Sequence, residues 1–132
     1  MTAFAQLGAL RLNCKRALIT FFDRQFQYHV AEATRTLSLE TDSTSDAGDE
    51  LCYGPSIVPK KGSICEHVLS KDIDPNAFGT DASQDPLLLV IPDLRKDNRF
   101  RDREYTTMHN YVFYAGAAIV SPSGHKIGAY CV

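Results

Sequence analysis

Cys65-Glu66-His67 places a thiol, a carboxylate and an imidazole on consecutive residues. An imidazole beside a thiol lowers its pKa toward a nucleophilic thiolate, and both groups are metal ligands. A tight metal site needs three or four ligands, and no second such pair stands nearby in sequence, so no metal site is assigned. The plain alternative is an ordinary helix with Cys65 inward and His67 partly exposed. Asp93 follows a strand end and precedes a basic stretch. It either accepts hydrogen bonds from a ligand or caps its own turn through backbone N–H groups. Tyr111 and Tyr114 can stack on a flat ligand or donate hydrogen bonds to it. Phe113 and Tyr114 point to opposite faces of a strand, and core packing is the role expected of Phe113. His29, His109 and His125 read as surface or turn residues. Together with Ser121 and Ser123 they form no nucleophile elbow, which leaves a serine hydrolase unsupported.

These side chains need elements to hold them. Phe4, Leu7, Leu10 and Cys14 recur every three to four residues, which predicts an amphipathic helix over 2–13 with Thr2 as its N-cap and that stripe inward. Ala17 to Phe22 reads as a strand that is apolar on both faces. Asp23-Arg24-Gln25 is a hairpin turn, and Gln27 to Ala31 a strand near an edge. Residues 35–39 link to an acidic, exposed loop over 40–50. Leu51 to Val58 is a short strand broken at Gly54-Pro55. Ser63 caps a helix reaching Ser70, with Ile64, Val68 and Cys65 inward. Residues 71–86 are rich in Asp, Pro, Gly, Asn and Ser and read as a mobile loop. Leu87 to Ile91 is a strand stopped by Pro92, and a short helix is expected near 102–108. Val112 to Val120 and Lys126 to Val132 form a hairpin around Ser121-Pro122-Ser123-Gly124.

Val112 to Val120 is polar on neither face, so both sides of the strand must be covered. The clear connections are hairpins, which predicts a mainly antiparallel sheet. Helices are expected on one face, and the material between residues 39 and 108 is expected to roof the other. Such a roof often encloses a small-molecule pocket. The small residues Ala115, Gly116, Ala117 and Ala118 either leave room for a ligand or admit a closely packed helix.

Composition narrows the class. The chain has 132 residues, 14 Lys+Arg and 16 Asp+Glu, for a net charge of −2. That length suits one domain. The slightly acidic balance argues against nucleic acid as a partner, which would need clustered uncompensated cations. No apolar run approaches the ~20 residues that span a bilayer, which argues against a membrane. The first residues lack a signal peptide's basic start and apolar stretch, and Cys14, Cys52, Cys65 and Cys131 form no CxxC pair. An intracellular, cytoplasmic protein with reduced thiols is the expectation.

The segment Tyr111 to Ile119, then Ser121-Pro122-Ser123-Gly124, then Ile127 to Val132, resembles the last hairpin of a GAF domain. Ahead of it, Ile91-Pro92-Asp93-Leu94-Arg95-Lys96-Asp97-Asn98-Arg99-Phe100 is similar to that family's "hydrophobic, x, Asp, x, x, x, Asp, x, Arg, Phe" segment. Phe4 to Leu12, Asp23-Arg24 and Ala31 to Leu39 resemble the GAF domains of fungal hybrid histidine kinases.

The resemblance implies an α+β sandwich, GAF/PAS-like, with a central antiparallel sheet, helices on one face and a loop-roofed cleft on the other. It implies one domain over 1–132, without the family's final helix. The implied function is sensory: a small molecule, or a protein contact, biases two states of the domain. The output would pass to a histidine kinase output domain of two-component type or to a homodimer partner. Cys65, His67, Asp93, Tyr111 and Tyr114 are the candidate ligand-binding residues. The chain lacks the phosphoacceptor box, nucleotide-binding glycine box and receiver domain, so no enzymatic activity is expected and no catalytic residue is assigned. A small branch of the family instead reduces free methionine sulfoxide with cysteines. On that alternative Cys65 is the nucleophile and Cys52 the resolving thiol. Neither the cyclic-nucleotide signature nor a bilin attachment pattern matches, haem ligation by His67 has no support, and the cofactor stays unassigned.

Overall fold

The computed structural model describes residues 1–37, 41, 43–70 and 87–132. The loop expected over 71–86 lies outside the described residues, as do Ser38, Leu39, Glu40 and Asp42 of the linking and acidic segments. The elements are α1 (Thr2–Arg11), β1 (Arg16–Phe22), β2 (Phe26–Thr34), β3 (Ser56–Pro59), α2 (Ile64–Ser70), β4 (Leu88–Ile91), a 3-10 turn (Leu94–Lys96), α3 (Glu104–Thr107), β5 (Tyr114–Val120) and β6 (Lys126–Cys131). The six strands form one antiparallel sheet in the order β3-β2-β1-β6-β5-β4. This is the α+β sandwich expected from the sequence.

Local chemistry accounts for the hairpins. Asp23 Oδ1 accepts from the backbone N–H groups of Gln25 and Phe26, which closes the β1–β2 turn. Gly124 has φ +83 in the β5–β6 turn, a conformation that L side chains rarely adopt. Ser63 Oγ accepts from Glu66 N at 3.1 Å, while Glu66 Oε2 accepts from Gly62 N, so α2 starts at its expected cap.

The inner face of α1 differs from expectation. Phe4, Leu7 and Leu10 are exposed, whereas Ala5 and Ala9 are fully buried. Thr2 lies inside the helix, Met1 takes the N-cap position, and no side-chain capping bond forms. The reason is close packing. Ala5 and Ala9 meet Ala17, Ile19, Ala31 and Ala33 of the sheet, and small side chains on both surfaces let the helix lie near the strands. A Cβ on Gly8 would overlap the Tyr130 hydroxyl. That hydroxyl donates to the Phe4 and Ala5 carbonyls at 2.9 and 3.3 Å. Helix α1 ends at Arg11 with Leu12 as its C-cap, and Asn13, whose φ of 53 is left-handed, turns the chain away, with Cys14 N donating to Ala9 O and Asn13 N to Leu10 O.

The opposite face carries the larger core: Leu18, Ile64, Cys65, Val68, Leu89, Ile91, Leu94, Phe100, Tyr114, Ala129 and Cys131. Thus α1 lies on one face, while α2 and the 94–113 segment lie on the other. Strand β5 begins two residues later than expected. Val112 O accepts from Leu94 N at 2.7 Å, and Tyr111 N donates to Tyr105 O at 3.1 Å, so residues 111–113 belong to the roof. Phe113 is therefore exposed at 47% and is not a core residue. β3 spans only four residues, with Gly54-Pro55 ahead of it, because Gly54 N is tied to Glu32 instead.

β2 contains a bulge that decides which side chains reach each face. Ile19 pairs with Ala31 and Thr20 with His29, leaving Val30 as the extra residue. Before Val30, Gln27 and His29 face the roofed side; after it, Ala31 and Ala33 face α1 and Glu32 takes the roofed side. One inserted residue thereby reverses the alternation.

Candidate functional site

The roofed face encloses a cleft of about 1280 Å³. Its floor comes from β1, β2, β5 and β6, and its walls from residues 12–15, 48–53, 58–65 and 104–113. Cys65, Tyr111 and Tyr114 line it, as does Cys52. His67 and Asp93 are not among its lining residues. His67 packs edge-on against the Phe100 ring at 4.9 Å. Asp93 accepts from Arg95 N at 3.1 Å and Arg95 Nε at 2.8 Å, which closes the 3-10 turn. That arginine holds the Asp93 carboxyl at about 2.

Glu32 anchors the wall. Its side chain is fully buried and pairs with Arg16. It also accepts from the backbone N–H groups of Cys52 (2.7 Å), Tyr53 (2.8 Å) and Gly54 (2.7 Å). Arg16 Nη2 reaches on to Glu50 O at 3.0 Å. A buried carboxylate with four donors is fully compensated, and it fixes the 50–54 loop to the sheet. Sequence reasoning missed this residue. An acid between Ala31 and Ala33 within an apolar strand is the signal that marks it.

His29 and Gln27 form a second buried group. His29 is 5% exposed, not a surface or turn residue. Its Nε2 lies 2.8 Å from Gln27 Nε2, its Nδ1 3.2 Å from Ser56 Oγ, and its ring meets Tyr53 edge-on at 4.7 Å. Burial pushes its pKa below the ordinary 6.5, against the pull of Glu32.

The deepest part holds Cys65, Cys131 and Tyr114. The two sulfurs are 3.8 Å apart, and the Tyr114 hydroxyl donates to Cys65 Sγ at 3.2 Å. Cys131 as a hydrogen-bond donor, then Tyr114, draw the Cys65 thiol below its usual value despite burial, while Cys131 is pushed well up. Cys52 has a different neighbour: its Sγ is 3.9 Å from His109 Nδ1. Among the described residues no group of three His, Cys, Asp or Glu side chains could hold a metal ion.

The cleft also carries polar atoms with nothing to bond. Gln27 Oε1 and the Tyr105 hydroxyl are buried and lack hydrogen-bond partners, and the buried Tyr111 hydroxyl makes no bond of good geometry, with the Cys52 thiol and Tyr53 hydroxyl as its polar neighbours. Burial raises the pKa of Tyr105 to about 12 and that of Tyr111 still higher. Both therefore stand as neutral O–H groups at neutral pH. An amide carbonyl and two phenols thus belong to residues that line one cleft, and unsatisfied buried polar groups cost ~1–3 kcal/mol each.

No protein-family model matches the chain, and no curated protein matches it. Among solved structures, the crystal structure of the A. aeolicus nlh2 GAF domain in an inactive state superposes with a TM-score of 0.54. The identity is 12%, over 96% of this chain and 60% of that one. This chain has the GAF fold. It therefore spans less than two-thirds of that GAF structure's own length. The inducer-binding domain of the Acinetobacter PobR transcription factor, a double mutant in complex with 3-hydroxybenzoic acid, aligns with a TM-score of 0.48. Its identity is 14%, over 98% of this chain and 78% of that one.

Proposed function

We propose that this chain is a sensory GAF domain that binds a small organic molecule in the cleft between the sheet and its roof. The observation that carries this reading is a cleft of about 1280 Å³ whose lining residues include Gln27, Tyr105 and Tyr111, each with a buried polar atom that lacks a hydrogen-bond partner. Buried polar atoms in a folded protein are normally bonded. A ligand carrying one N–H or O–H donor for Gln27, acceptors for the tyrosines and an apolar body for the aromatic walls would satisfy all three. The chain performs no reaction in this reading. Occupancy changes how firmly the roof is held to the sheet.

The proposed output is a histidine-kinase-type partner in two-component signalling. Support comes from the resemblance of residues 4–12 and 31–39 to fungal hybrid kinases. The outer face of α1, where Phe4, Leu7 and Leu10 stand exposed, offers an apolar contact surface for it. A kinase core encoded in the same reading frame would support the context, and an unrelated output domain there would replace it.

Ligand binding is tested by thermal unfolding and native mass spectrometry with a panel of neutral phenols, aromatic amides and small carboxylic acids. At a hundredfold excess over Kd a true ligand stabilises by about 2.7 kcal/mol. Gln27→Leu and Tyr111→Phe should remove that gain while leaving the unliganded melting cooperative. A flat response to the whole panel and to a desalted metabolite extract overturns the reading.

A further inference from the structure

We propose that Cys65 and Cys131 are a hydroperoxide-reactive dithiol at the bottom of the cleft, with Cys65 the sulfur that attacks the peroxide and Cys131 the resolving one. The proposal goes beyond ligand sensing and does not depend on it.

Position carries the argument. Both cysteines are free thiols. They come from different elements, the first turn of α2 and the end of β6, and their sulfurs are in contact at 3.8 Å. A disulfide needs about 2.05 Å, which rotation of the side chains supplies over so short a gap. Cys131 pairs across the sheet with Gly116, so no side chain stands between it and the Tyr114 ring. Both cysteines line the cleft, which gives a molecule the size of hydrogen peroxide a route to them, although little of either is exposed. Tyr114 supplies the third group. Its hydroxyl donates to Cys65 Sγ, which favours sulfur in its thiolate form and makes Cys65 the nucleophile of the pair.

The chemistry balances with a hydroperoxide as oxidant. The Cys65 sulfur attacks one peroxide oxygen, and the O–O bond breaks. The Cys65 proton passes through the Tyr114 hydroxyl to the leaving oxygen, which departs as water or an alcohol. Cys65 is left as the sulfenic acid. The Cys131 sulfur then attacks the Cys65 sulfur, the S–S bond forms, the S–O bond breaks, and water leaves with the Cys131 proton. Two thiols lose two electrons and the peroxide gains them. The product ties α2 to β6 and thus the roof to the floor. A thiol reductant reverses it.

The test treats the purified chain with hydrogen peroxide, blocks remaining thiols with N-ethylmaleimide and maps peptides without reduction. The expected result is a loss of two hydrogens and a single Cys65–Cys131 linked peptide. In Cys131→Ser, dimedone should trap Cys65 as the sulfenic acid. Tyr114→Phe should slow oxidation at least threefold, with circular dichroism confirming its fold. The unmodified chain alone decides the outcome if a variant fails to fold. Four intact thiols under excess peroxide overturn the proposal. So does a Cys52–Cys65 link, the pair a sulfoxide reductase would use. Thiol mapping needs no organic ligand, so its failure leaves the ligand-binding reading standing, and a silent ligand panel leaves the dithiol standing.

Discussion

The Tyr114 ring lies along β5 over Gly116, two residues on and on the same face, and a Cβ at Gly116 would overlap its hydroxyl. The absent side chain is what allows that hydroxyl to reach Cys65. The small residues of β5 thus serve a tyrosine from their own strand. Gly116→Ala should displace the ring and destabilise the fold by about 1–3 kcal/mol, as overpacking does. Urea unfolding monitored by tyrosine fluorescence checks this, and an unchanged midpoint would show that the ring moves at no cost.

Gly8 and Tyr130 make a similar pair across the other face. Ala at an exposed helix position gains about 1 kcal/mol over Gly. At Gly8 that gain should be reversed, because the new methyl strikes the Tyr130 hydroxyl. Tyr130→Phe should cost about 0.5–1.5 kcal/mol through its bonds to Phe4 and Ala5. The double variant should be more stable than the two losses summed, and a double-mutant cycle measures that coupling. Strict additivity would refute the contact.

Glu32→Ala removes one partner of a buried ion pair and orphans three backbone N–H groups. A loss of about 3–5 kcal/mol is expected. Hydrogen exchange should rise first at Cys52, Tyr53 and Gly54. Protection retained there after the substitution would mean the loop is held by something else.

His29 sets a pH dependence. Its folded pKa lies below the ordinary 6.5, so the unfolded chain binds its proton more readily. The stability it contributes is whole above 6.5 and is lost as pH falls through its folded value. The facing groups are Gln27, Ser56, Tyr53 and Glu32. His29→Gln should flatten the stability profile just below 6.5. An equally steep fall in the variant would assign the effect to another group.

The outer stripe of α1 should be sticky. Exposed Phe4, Leu7 and Leu10 predict concentration-dependent association in sedimentation velocity, relieved by Phe4→Glu with Leu7→Glu. A wild-type chain that stays monomeric at high concentration would contradict this.

The sequence by itself determined the strand hairpins, the start of α2 and the order of elements, because turn residues and caps act through bonds a few residues long. Asp23, Ser63 and Gly124 each do locally what their types imply. It also marked Cys65, Tyr111 and Tyr114, which do line the cleft. Facing was the part it could not determine. The stripe of α1 points outward because a glycine and alanines meet alanines on the sheet, a match between surfaces far apart in sequence. Gln27 and His29 line the cleft and Glu32 holds its wall from the same face because the bulge at Val30 reverses the alternation of β2, and pairing with β1 places that bulge. Cys65 meets Cys131 rather than Cys52 because antiparallel pairing carries β6 beneath α2. Period and propensity are properties of a segment. Which atoms share a cavity depends on register and packing between segments, and only the tertiary structure decides those.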